Sequence, residues 1–481
     1  MKQHPHFFSS LQGELYDWRL WGARAVVMAF AAMAGLTVVA LTWMSETAFE
    51  HFREVQQQAW WMPLLWTPVA TLAIVWATRK FAPGAAGSGI PQVMAALSPE
   101  VSSPLRHFFV SMRLTVSKMV LTSLGFLAGL SLGREGPSVQ VGAGVMHSCR
   151  HWMPKHGVVS DHGLLIAGGA AGIAAAFNTP LGGIMFAIEE LSRRPEQRSN
   201  GLMMAAIVLG GLMSVSVYGN TSYFGVVGAI RVDRLDLHML WPGLLVAVAC
   251  GLLGGLFSRL LIVSLSGQSG DWFSRLRRRF PLRFAALCGL LVAVIGVASQ
   301  GSTYGSGYLH TRDLLDGVDE SSGLFFLLKF VATWITTWAG VPAGIFAPSL
   351  AIGGGIGSDI AQYTLGISST TLIALGMAGF LAAVTQAPLT SFIIVMEMVD
   401  GHGLVLSLMA GALLSSGVSR LVSVPLYPAL AELQVRRAVA APVDEAAKAS
   451  AAGNGPSADV PDGSISDATS KPAADEPAKP A

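Results

Sequence analysis

Glu135 stands in "LGREGPSVQVG" (132–142), beside Arg134, between Gly133 and Gly136, with Pro137 just behind it. Apolar sequence flanks it on both sides. A carboxylate at the centre of such a segment costs about 2.5–3.5 kcal/mol on insertion scales, which makes it a functional candidate by default. It can hold and release a proton, or occupy as an anion a place built for anions. A second acidic pair, Glu189 and Glu190, closes "AAFNTPLGGIMFAIEE" just before Arg193, Arg194 and Arg198. That pair reads equally as the end of a helix beside arginines. Two hydroxyls complete the set. Ser88 in "GSGIP" reads as a helix N-cap, and Tyr427 in "PLYPAL" as an interfacial aromatic. Both are also neutral donors that could hold an anion without trapping it.

These groups need elements to position them, and the chain supplies the elements twice. "GREGPSVQVGAGV" (133–145) aligns with "GIFAPSLAIGGGI" (344–356) at an offset of 211 residues, matching Gly133, Pro137, Ser138, Gly142 and Gly144 to Gly344, Pro348, Ser349, Gly353 and Gly355. "TPLGGIMFAIEEL" and "APLTSFIIVMEMV" share Pro-Leu and a trailing Glu at an offset of 208. A half-chain duplication in an apolar protein points to a transporter or channel whose site lies where the repeats meet. If the unit crosses the membrane an odd number of times, the second copy is inverted. Each copy carries Gly-x-x-x-Pro ahead of an apolar run. Proline is favoured at the first helical position, where its missing N–H costs nothing. The spacing therefore predicts two helices that begin inside the membrane with their free N–H groups aimed at the break. Such ends favour anions. One helix dipole contributes only about 0.3–2 kcal/mol, against tens of kcal/mol for burying a bare ion. Two converging ends, several N–H donors and hydroxyls are required.

Composition sets the class. Of 481 residues, 52% are hydrophobic and 12% charged, and mean hydropathy is +0.54. A soluble domain is usually about 25% charged, so this is an integral membrane protein, all-α and polytopic. Spans of ~20 apolar residues are expected around 25–44, 203–218, 239–257, 284–299 and 404–418. Residues 1–24, with Glu14, Tyr16, Asp17 and Trp18, read as an amphipathic surface helix without a cleavage site. Basic clusters at Arg193 to Arg198, at "RLRRR" (275–279) and at Arg436 and Arg437 mark cytoplasmic loops. Lying between apolar spans, "RLRRR" is not a nucleic-acid patch, and no nucleic-acid partner is expected. Cys149, Cys250 and Cys288 lack disulfide or zinc spacing. His147, Cys149 and His151 read as helix-end residues, so no metal is expected. "GGGIGS" (353–358) lacks the strand-turn-helix of a dinucleotide loop and reads as close helix packing. Lys118 and Lys329 lie in apolar helices and could add positive potential to an anion path or pair structurally, with the first preferred. Residues 438–481, rich in Ala, Pro, Ser and Asp, read as a disordered cytoplasmic tail.

"GSGIP", "GREGP" and "GIFAP" (344–348), followed by Tyr427, resemble the CLC family of chloride channels and chloride/proton antiporters, of the bacterial type without cytoplasmic regulatory domains. The resemblance runs from about 21 to 437. It implies a CLC fold over residues 1–437, with inverted repeats of tilted and broken helices at about 22–218 and 236–420. It further implies a homodimer in the bacterial inner membrane, with a separate pore in each subunit. By the same resemblance, chloride meets the hydroxyls of Ser88 and Tyr427 and the N–H groups of Ile345 and Phe346. An outer site is lined by N–H groups around Arg134 to Gly136. Glu135 is then the gating carboxylate and Glu190 the inner proton-transfer residue. Serine at 88 is the chloride-type choice. Two positions depart from the family: Ala343 stands at a usual glycine, so a different local turn is expected, and Gln92 replaces a common Glu.

A chloride beside an ionised carboxylate disfavours its charge, so proton uptake and chloride occupancy favour each other. That linkage is what an exchanger needs. Glu190, usually absent from channels of the family, favours proton-coupled exchange over a passive chloride channel. No HExxH, Ser-His pair or metal-ligand set supports an intramembrane enzyme. The transported ions, chloride and protons, are the only small partners expected, with no cofactor.

Overall fold

The computed structural model describes residues 18–153, 159–192, 200–219, 221–225, 237–267, 270–318, 323–364 and 368–453. Of the surface helix expected over 1–24, residues 1–17 lie outside them, as do the arginines at 193–198, whereas 18–24 open the long first helix and form no separate element. Among the described residues the chain is helical throughout, and its one β-bridge is isolated.

The first repeat comprises α1 (Trp18–Gln58), α2 (Met62–Phe81), α3 (Ile90–Ala96), α4 (Ser103–Phe109), α5 (Met112–Leu127), α6 (Glu135–Ser148), α7 (Asp161–Phe177), α8 (Pro180–Phe186) and α9 (Asn200–Tyr218). The second comprises α10 (Leu237–Ser266), α11 (Trp272–Arg279), α12 (Pro281–Ala298), α13 (Tyr308–Leu315), α14 (Phe325–Ala339), α15 (Phe346–Gln362), α16 (Ser369–Thr385), α17 (Pro388–Met398) and α18 (Val405–Arg420). All five expected spans fall in long apolar helices. A further candidate, Leu105–Leu127, was not anticipated. Arg106, Arg113 and Lys118 dilute its hydropathy, and the chain breaks it at Val110 and Ser111, where Ser111 caps α5 by accepting the Leu114 N–H at 3.3 Å.

Matched elements are built the same way in both halves. A Cβ on Gly142 would stand 2.3 Å from the Gly168 carbonyl, and one on Gly353 would stand 2.2 Å from that of Gly376. Only glycine permits these backbone contacts between α6 and α7 and between α15 and α16, so "GGGIGS" is a packing surface. Both α7 and α16 end on a left-handed residue, Asn178 or Gln386, each with φ of 58°. Pro180 and Pro388 then start α8 and α17.

Basic and acidic helix ends alternate along the chain. α1 carries Arg24 near its start and Glu46, Glu50 and Glu54 near its end, while α2 returns to finish on Arg79 and Lys80. On the basic side, Arg277 donates to the Ser264 carbonyl at 3.0 Å, and Arg278 donates to that of Gly267. "RLRRR" thus caps the C-terminus of α10, where cations complement the helix dipole.

The last helix, α19 (Leu426–Gly453), passes the boundary expected at 437. Its alanine-rich sequence is strongly helix-forming, and the helix runs on into the segment read as a tail. The chain divides into compact units at 1–436 and 437–481, and all elements of the duplicated fold belong to the first.

Candidate anion and proton pathway

The two glycine motifs meet back to back. Gly133 N–H donates to the Gly344 carbonyl at 2.8 Å, and Gly344 N–H donates to that of Gly133 at 2.9 Å. The bridge is antiparallel and joins positions matched at the 211 offset, so it lies on the two-fold relation between the repeats. It sets the N-termini of α6 and α15 facing each other. Into this gap projects Glu135, fully buried. Its Oε2 accepts the Ala347 N–H of α15 at 3.4 Å, and the backbone N–H groups of Arg134 and Glu135 also bear on the carboxylate. The side chain of one repeat thus occupies an anion-binding helix start of the other. A Cβ on Gly133 would come 2.3 Å from that same Oε2, which explains the glycine.

Ile345 and Phe346 supply the first N–H groups of α15, which have no intrahelical acceptor. Phe346 is buried, stacked 5.9 Å from Tyr427 and edge-on to Phe186 at 6.2 Å. Tyr427 is wholly buried, which overturns its reading as a belt residue. The hydroxyls of Tyr427 and Ser88 interact with one another, and neither has a hydrogen-bond partner beyond the other. Leaving a buried polar group unsatisfied costs about 1–3 kcal/mol, so this pair calls for an acceptor such as an anion.

Ser88 is not the cap of α3. Gly89 holds that place at φ 112°, its N–H donating to Gln92 Oε1 at 2.9 Å, while Gln92 Nε2 donates to the Ala86 carbonyl. An amide supplies both the acceptor and the donor; an ionised Glu supplies only the acceptor. The other departure, Ala343, has no positive φ. Its N–H donates to the Gly87 carbonyl at 3.2 Å, so no glycine is needed there and the expected change of turn does not arise from backbone strain.

Ser88 Oγ reaches α6 at Gly136, where a Cβ would stand 2.2 Å away. Gly136→Ala should therefore displace the serine hydroxyl. Chloride affinity, measured by calorimetry, is expected to fall roughly tenfold, the worth of one hydrogen bond to a charged group. Retained affinity would remove Ser88 from the pathway.

Lys118 and Lys329 are also pseudo-equivalent. Lys118 Nζ donates to the carbonyls of Ala85 and Gly87 at 2.8 and 2.6 Å, and Lys329 Nζ to those of Thr303 and Gly305 at 2.9 and 2.8 Å. Each clasps a Gly-Ser-Gly loop, at 87–89 or at 305–307. The preferred reading, positive potential for an anion path, gives way to a structural one.

The acidic pair divides its labour. Glu189 accepts the N–H groups of Leu389 and Thr390 at 3.2 and 2.7 Å, and Glu397 accepts those of Leu181 and Gly182 at 3.2 and 2.7 Å. Each repeat caps the half-helix of the other. Glu190 instead is buried within a π turn at Ala187–Leu191, a feature frequent at functional sites. Tyr427 is electrostatically coupled to both Glu190 and Glu135. Elsewhere, Arg134 pairs with Glu46, and His147 lies edge-on to His107 at 6.0 Å.

The family model described as voltage gated chloride channel matches residues 70–420. The chain belongs to this family. Among its relatives is the H(+)/Cl(-) exchange transporter ClcA of Klebsiella pneumoniae, 31% identical over 447 residues, covering 88% of this chain and 90% of that protein. ClcA of Citrobacter koseri is 32% identical over 364 residues, covering 72% of this chain and 73% of that one. In fold, the chain is similar to a slow cyanobacterial Cl-/H+ antiporter, with a TM-score of 0.72, 23% identity, and coverage of 90% of this chain and 99% of that one. A CLC-type fluoride/proton antiporter gives 0.71, 22%, 86% and 98%. The family's inverted-repeat architecture is the one described above.

Proposed function

We propose that the protein exchanges chloride for protons across a membrane. Chloride passes Ser88, Tyr427 and the N–H groups of Ile345 and Phe346, then the outer site at Arg134 to Gly136. Glu135 is the gate, and Glu190 passes protons on the inner side. The observation that carries this reading is the Glu135 carboxylate seated on the Ala347 N–H of the opposing repeat. Ionised, it competes with chloride for these donors; protonated, it loses that attraction and leaves. The Tyr427 hydroxyl, which interacts with that of Ser88, feels the charge of both Glu135 and Glu190, which supports a shared path.

The alternation of charged helix ends supports an orientation with Arg79, Lys80 and Arg277 to Arg279 inside and Glu46 to Glu54 outside. Relatives named as exchangers support the coupling. By the same resemblance the protein is a homodimer of the bacterial inner membrane with its C-terminal residues in the cytoplasm, and it performs no enzymatic reaction. In proteoliposomes, a chloride gradient is expected to drive protons uphill. Chloride flux without proton movement would leave the passive channel as the correct reading.

A further inference from the structure

On the side that carries Glu46, a cavity of about 410 Å³ opens between the end of α1, the loop at 221–225 and the start of α13. Arg134 lines it, with a side chain only 9% exposed. Its Nη1 donates to Glu46 Oε1 at 2.7 Å, its Nη2 lies 3.4 Å from Tyr223 Oη, and its Nε has no acceptor. The Tyr308 hydroxyl donates to the Tyr223 carbonyl at 3.0 Å, tying the loop to α13. Arg134 also acts electrostatically on Glu135. One guanidinium therefore pairs with the carboxylate on α1 and acts at longer range on the one in the gate.

We propose that Glu46 is a positioning residue that sets how much of Arg134's charge reaches the outer anion site and the gate. With Glu46 ionised, the guanidinium is held toward α1 and largely compensated. With that charge removed, Arg134 attracts chloride at the mouth and stabilises the ionised, plugging form of Glu135. The other charged or titratable groups facing this space are Glu50 and Arg53 on α1, His310 and Asp313 on α13, and the phenols of Tyr223, Tyr304 and Tyr308, while the phenol of Tyr218 on α9 also acts on Glu46 and Arg134. The carboxylate that Arg134 pairs with is that of Glu46, at 2.7 Å. The inference rests on Glu135 as the gate.

Chloride flux of the full-length protein in liposomes, followed against external pH and external chloride, tests it. Glu46→Gln is expected to move the midpoint of acid activation down by about one pH unit and to lower the external KM for chloride. Glu46→Asp, which keeps the charge, and Glu50→Gln, which removes a charge from the same cavity, are expected to stay near the wild type. An unchanged or oppositely shifted Glu46→Gln overturns the proposal. So does an equal shift in Glu50→Gln, which would reduce the effect to net vestibule charge. A wild type insensitive to pH counts against the gate itself, and the KM comparison still decides Glu46.

Discussion

Glu135→Gln is expected to abolish proton transport while chloride flux continues. The amide is nearly isosteric, and its carbonyl can still accept the Ala347 N–H that Glu135 Oε2 accepts at 3.4 Å. What it loses is the ability to alternate between a charged plug and a neutral side chain. Chloride then meets no anionic competitor at the start of α15, and its flux should become independent of external pH. Protons have no carrier at the crossing point of the repeats, so their gradient-driven movement should drop to the leak of protein-free vesicles. Simultaneous chloride-electrode and pH-electrode recordings distinguish the two fluxes. Continued proton pumping would show that the carboxylate only plugs the pore and that protons pass elsewhere. Glu190→Gln provides the contrast. It should also stop proton movement, but the external pH dependence should survive because the plug remains titratable.

The duplicated glycine-proline motifs were readable because a broken helix needs particular residues at particular spacings. Gly133 and Gly344 proved to be the contact point of the repeats, and Pro137 and Pro348 stand third in α6 and α15, two residues after the first helical position expected for them. Another match was invisible at that offset. "GSGIP" has a counterpart in "GSGYL" (305–309), displaced by 218 residues and not 211. The change of register equals the length of α4, 7 residues, which has no partner helix among the described residues of the second repeat. An insertion between two motifs hides a duplication from any search at constant spacing.

Partnerships that close across the fold were also beyond the sequence. Glu189 looked like one half of an acidic pair beside Glu190, and nothing local separates them. Only the position of α17 shows that one carboxylate caps a helix start and its neighbour is buried elsewhere. Pairing over some 200 residues is a consequence of the two-fold packing, and local pattern does not encode it. The trailing Glu shared by the repeats was the available signal: Glu189 and Glu397 are the two members of the exchange.

The same limit governed Lys118 and Lys329, for which sequence gives a charge but no distance to an acceptor. Lys118→Met and Lys329→Met are expected to destabilise the protein strongly. Each removal deletes two hydrogen bonds: Gly87 and Gly305 keep the N–H groups of Ala343 and Leu132, while the buried carbonyl of Ala85 or Thr303 loses its ammonium donor, at about 1–3 kcal/mol, against a total stability of about 5–15 kcal/mol for a typical fold. Thermal unfolding in detergent should show a marked fall for both variants. Their effects on transport should differ, because the loops they clasp differ. Lys118 holds the carbonyl of Gly87, next to Ser88, so its loss should weaken chloride binding as well as stability. Lys329 holds the loop of Ser306, which lines the outer cavity, so its loss should spare equilibrium binding at the Ser88 and Tyr427 site. An electrostatic role predicts the reverse pattern: chloride affinity falls in both variants while the unfolding temperature holds. Finding that pattern would restore the lysines to the anion path. The clasp geometry argues against it, because each ammonium spends two donors on backbone carbonyls of its own repeat.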